Sequence, residues 1–153
     1  MPKSKKKPKI ATQPQTNRQP TFAKNPDSYM KEKPTWSFCR CDNGHELWSL
    51  CKCENLWEKV IKKLGDLETQ TWAEIVQTTG HGDHGNNHFV SINDLSKNAQ
   101  ARLAELHLDQ IDTVFSISLE GKMRLYGLVE GTVYKLLWWD PDHGVCLSTK
   151  KHT

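Results

Sequence analysis

Large apolar side chains are rare up to residue 35 and frequent from Trp36 onward, and their spacing then changes along the chain. Leu56, Trp57, Val60, Ile61 and Leu64 recur at the spacing of one helical face. Asn55 before this stripe, with Glu58 three residues later, has the form of a capping box, and Gly65 offers a stop. Thr71-Trp-Ala-Glu74 repeats the pattern and predicts a second helix with Trp72, Ile75 and Val76 inward, ending near Gly80. Ser96 predicts a cap for a third helix bearing Ala99, Leu103 and Leu106 on one face.

The remaining segments read as strands. A short one is expected at 89–92, and longer ones at 114–119, 122–130, 132–140 and 144–148, separated by Gly121 and Glu130-Gly131. Turns this tight join antiparallel neighbours. Cys39-x-Cys41 and Cys51-x-Cys53 flank Asp42-Asn43-Gly44, a turn signal that predicts a further hairpin. The fold class is therefore α+β, with N-terminal helices packed on one face of a C-terminal antiparallel β-meander.

Alternation through the last hairpin sorts its residues onto two faces. A two-residue turn at Glu130-Gly131 puts Met123, Leu125, Val129, Tyr134, Leu136 and Trp138 on the core side. The other side then collects Lys122, Arg124, Tyr126, Lys135 and Trp139, cations interleaved with rings. Such a surface suits RNA, whose bases stack on aromatic rings while Lys and Arg meet phosphates. The competing reading is the wet side of a half-solvated sheet.

Charge adds a division of the chain. Residues 1–35 hold nine Lys or Arg against two acids, +7, whereas residues 36–153 hold twelve against sixteen, −4. The first segment also carries six of the seven prolines. It reads as a disordered basic arm, 1–35, preceding a single domain, 36–153. Lys5, Lys6 and Lys7 are its densest cationic run, suited to nucleic acid or to solubility alone. No apolar run reaches the roughly 20 residues of a membrane span, and no apolar stretch follows the charged start, so a cytoplasmic protein is expected.

Candidate chemistry sits at strand ends. His88 enters a strand after a polar, glycine-rich segment containing His81 and His84, which reads as a loop. His143 lies in the Asp140-Pro-Asp-His turn. Cleaving RNA at its own 2′-hydroxyl needs a base, an acid and a cation for the developing phosphorane charge. Imidazoles suit the first two and a guanidinium the third. His88, His143 and Arg124 fill those roles on paper, with Asp140 orienting an imidazole; the bland alternative is surface histidines beside a terminating turn. For the cysteines, Cys39, Cys41, Cys51 and Cys53 on one hairpin face would suit tetrahedral zinc. One residue between paired cysteines is not the usual spacing, and free thiols with no cofactor are the main expectation.

The stretch from Phe115 to His143, with Leu136-Leu-Trp-Trp-Asp-Pro-Asp-His143 as its most specific part, resembles the end of a group of small bacterial proteins that also carry a Thr-Trp-x-Glu-Ile helix start, here Thr71 to Ile75. That group has no assigned activity, so the resemblance transfers no catalytic residue. At fold level only, helices followed by a meander bearing Arg124 are similar to the RelE/ParE toxin superfamily, which implies ribosome-bound mRNA or gyrase as target and an antitoxin protein as partner. Those toxins are strongly basic throughout, and this body is not. The expectation is a small RNA-directed protein, a toxin-type endoribonuclease using histidine and arginine. The alternative is a non-catalytic binding module, an adaptor or antitoxin-like protein with or without structural zinc.

Overall fold

A computed structural model describes residues 28–77 and 86–147. The Lys5–Lys7 run and the segment with His81 and His84, expected as a loop, lie outside these residues.

Five strands form one sheet in the order β1-β5-β4-β3-β2, where β1 is Thr35–Ser37, β2 His88–Ser91, β3 Thr113–Ser118, β4 Arg124–Glu130 and β5 Val133–Asp140. β2 to β5 are antiparallel neighbours, and β1 pairs parallel with β5. The α+β expectation holds. The folded region begins earlier than the composition suggests. Ser28–Lys31 forms a short 3-10 turn, and Tyr29 meets Trp72 edge-on at 6.2 Å.

Two helix starts form as their caps predict. Thr71 accepts from the Glu74 N–H at 3.3 Å while the Glu74 carboxylate accepts from the Thr71 N–H at 2.7 Å, opening α2, Trp72–Gln77. Ser96 accepts from the Ala99 N–H at 3.2 Å and opens α3, Lys97–Glu105. The Asn55 box does not form. Asn55 adopts a left-handed φ of 57°, and a π-helical turn, Trp57–Ile61, leads into α1, Lys62–Leu67. A π-turn is wider than an α-turn and shifts the phase of the stripe. Val60 and Leu64 stay in the core, while Trp57 is left 67% exposed.

Both sheet faces are covered. Phe115, Ile117, Leu125, Tyr134, Leu136 and Trp139 pack with Val60, Leu64, Leu67, Trp72 and Ile75 from α1 and α2. Val114, Tyr126, Leu128, Leu137 and Trp138 pack with Leu95 and with Ala99 and Leu103 of α3. α3 thus lies on the face opposite α1 and α2.

The last hairpin departs from its predicted pairing. Its turn is Gly131-Thr132, with Glu130 opposite Val133 and a left-handed Gly131 at φ 60°. Farther along, Tyr126 faces Trp138 while Gly127 faces Leu136, so Leu137 is an extra, bulged residue. Gly127 occupies this point because a Cβ there would lie 2.5 Å from the Tyr134 ring and 2.6 Å from the Lys135 carbonyl oxygen. The bulge reverses alternation beyond it. Trp139 turns into the α1/α2 core and Trp138 toward α3, the inverse of the simple reading. Among the described residues no helix is long and apolar enough to cross a membrane.

Candidate functional site

The predicted cationic and aromatic surface is not formed. Trp139 pairs with Leu125 and is 7% exposed in one core, whereas Arg124 pairs with Asp140 on the other face. Tyr126 does share Arg124's face, but it is 1% exposed and offers no stacking surface. Lys135 is half-buried and ion-paired with Glu130. Lys122 is exposed in the β3–β4 turn. The extra residue in β5 takes Trp139 off this face, and packing under α3 takes Tyr126 out of reach.

The predicted polar triad does come together. His88, Ser116 and Tyr126 are successive cross-strand partners on β2, β3 and β4, so their side chains form one row. In the next row Ser118 faces Arg124, and Arg124 faces Asp140. The turn after β5 brings in His143 and Cys146. Asn86, His88, Val90, Ser116, Arg124, Tyr126, His143 and Cys146 line one cleft of about 190 Å³.

Asp140 builds the turn rather than holding an imidazole as predicted. It is fully buried, and its Oδ1 accepts from the N–H groups of Asp142 at 3.3 Å and Gly144 at 3.0 Å. Its Oδ2 accepts from the Val145 N–H at 2.9 Å. His143, between these anchored residues, takes a left-handed φ of 61°. Such a backbone is uncommon outside glycine and persists only where the surroundings enforce it. Asp140 therefore places His143 through the main chain.

The Arg124 guanidinium is steadied by main-chain oxygens. Its Nη1 donates to the carbonyl oxygens of Gly121 and Met123, each at 2.8 Å. Among the described residues it forms no ion pair. Burial pushes the Tyr126 phenol well above its usual range, against a Ser116 hydrogen bond and the Arg124 charge, so it stays a protonated donor at neutral pH. The cleft therefore presents a cation, hydroxyl donors and two imidazoles.

The cysteines do not form the predicted hairpin face. After β1 the chain runs through turns to a 3-10 turn at Leu50–Lys52. Cys39 and Cys51 are exposed, Cys41 is half-buried, and Cys53 enters the core. Burial, with Cys51 and Cys39 nearby, pushes the Cys41 thiol up to about 11. Among the described residues no three His, Cys, Asp or Glu side chains gather as a metal ion requires.

Sequence reasoning missed a second polar cluster. Asp42 accepts from Arg102 Nε at 2.8 Å and Nη2 at 2.6 Å, and from the Trp138 indole N–H at 2.9 Å. Arg102 also donates to Glu105 at 2.9 Å. Beside them His45 stacks on Trp48, with centroids 4.2 Å apart and planes 1° from parallel. The only local trace was a histidine just beyond an Asp-Asn-Gly turn.

Comparison of the chain with models of known protein families, with characterised proteins and with solved structures returned no match. The site's own geometry is what informs on function.

Proposed function

We propose that this protein is RNA-directed and cleaves a phosphodiester in the cleft of His88, Arg124 and His143. The observation that carries the reading is convergence. Three side chains of the right chemistry, from β2, from β4 and from the turn after β5, line one cleft of about 190 Å³. That volume is below the roughly 300–1,000 Å³ usual for enclosing a whole small ligand. It suits one group, such as a backbone phosphate, with the rest of the strand outside. Arg124 forms no ion pair among the described residues, so its remaining N–H donors suit an anion.

In this reading one imidazole takes the proton of a ribose 2′-hydroxyl. The freed oxygen attacks phosphorus, and the 5′-oxygen of the next nucleotide leaves with a proton from the second imidazole. The products are a 2′,3′-cyclic phosphate and a 5′-hydroxyl. Arg124 and the protonated Tyr126 donate to the phosphoryl oxygens as charge develops. The +7 arm supplies sequence-independent contact with the strand.

The test is cleavage of single-stranded RNA by the full chain in the presence of a chelator. His143→Ala and Arg124→Ala are each expected to slow cleavage by about 10²–10⁴-fold, the usual worth of a positioned proton donor or charge stabiliser. A 2′-deoxy substitution at the cut site should block it. Salt-sensitive binding without cleavage, unchanged in His88→Ala and His143→Ala, would instead establish a binding module.

A further inference from the structure

The cluster around Asp42 borders a separate cleft of about 480 Å³ between the 44–48 loop and α3, lined by Gly44, His45, Trp48, Asn98, Arg102 and Glu105 among others. Its polar groups are held in place before any ligand arrives. His45 Nδ1 accepts from the N–H groups of Leu47 and Trp48, both at 3.0 Å, so the ring proton sits on Nε2. One face of the ring is covered by Trp48. Arg102 has five N–H groups; three go to Asp42 and Glu105, which leaves two.

Charge selects among ligands here. The Arg102 cation is matched by the buried Asp42 carboxylate, while Glu46 and Glu105 add negative charge at the wall. An anion is disfavoured. What fits is an uncharged planar group with a carbonyl for the Arg102 and Asn98 donors and an N–H for Glu105, lying against a rigid aromatic stack. We infer that this cleft binds an RNA base by its polar edge, with the Trp48–His45 stack as its platform. The choice of ligand rests on the RNA reading above, but the site shares no residue with the phosphate cleft.

Titration of the full chain with each of the four ribonucleosides tests this, because nucleosides carry no phosphate and need no cleavage. The readouts are the His45 ring resonances and the tryptophan indole N–H signals. Saturable shifts of His45 with at least one nucleoside are expected. Binding should weaken at least about fivefold in His45→Ala, the lower end of what one stacked base gains on an aromatic ring. Because His45→Ala also removes an acceptor for two backbone N–H groups, Asn98→Ala on the exposed side of α3 serves as a second variant, and it too should weaken binding. No shift with any nucleoside, or wild-type titration by both variants, overturns the inference. So does saturation by a blocked dipeptide amide in place of the nucleosides, which would assign the cleft to a polypeptide. RNA cleavage without nucleoside binding removes this inference alone; nucleoside binding without cleavage removes the phosphate-cleft reading alone.

Discussion

The two clefts use the same residue types to opposite ends. Each contains an arginine and an imidazole beside the sheet face that α3 covers. Around Arg102 every strong partner is a carboxylate, one of them buried, and that buried Asp42 carboxylate ties the 38–49 loop, α3 and β5 together. Around Arg124 the partners are two carbonyl oxygens of its own turn. The first arrangement pairs the charge directly and the second only fixes the side chain's position. Residue identity alone therefore says little about an arginine; Arg102 is bonded directly to a buried carboxylate, whereas the buried Asp140 opposite Arg124 spends its oxygens on the N–H groups of its own turn.

Breaking the pinned side should produce the largest effect. Asp42→Ala leaves Arg102 without its buried partner and the Trp138 N–H without an acceptor. It should destabilise the fold by about 2–4 kcal/mol, read by urea unfolding. The Arg102 hydrogen bonds hold the Asp42 carboxyl below the usual aspartate range despite burial. A depressed folded value means this stabilisation is complete above the ordinary aspartate range and is lost as pH falls through the folded one. Asp42→Asn should flatten that acid-side loss. A change below about 1 kcal/mol in Asp42→Ala would erase the contrast between the two arginines.

An intermediate effect is expected at Asp140, which anchors the turn beside the second cleft and is at least as buried as Asp42. Asp140→Ala strips acceptors from three N–H groups of the turn and should cost about 2–3 kcal/mol in unfolding experiments. Under the proposed function it should also slow RNA cleavage, since His143 loses its scaffold. The smallest change in stability belongs to Arg124→Ala, within about 1 kcal/mol, because it releases only two turn carbonyls to water. A loss as large as that of Asp42→Ala would show that Arg124 is also a structural pin.

What was legible in the sequence was local. Thr71 with Glu74, and Ser96 with Ala99, announce their helices because the bonding partners lie three residues apart. His88, Arg124 and His143 were readable as candidates because strand ends and a proline turn present side chains outward. What was hidden was either non-local or a break in period. Asp42 and Arg102 meet across 60 residues, and no pattern along the chain records that encounter. The bulge at Leu137 adds a residue that period-two alternation cannot register, and its sole trace was a glycine, Gly127, inside an otherwise apolar strand. The π-turn similarly displaced Trp57 from a stripe that looked continuous.

The strand that carries the bulge, β5, also has a mechanical role. Adjacent indoles, Trp138 and Trp139, plunge into different interiors from neighbouring positions on a single strand. A strand welded to both layers cannot be released by loosening either one alone, so the two halves of the molecule should melt together as one cooperative unit.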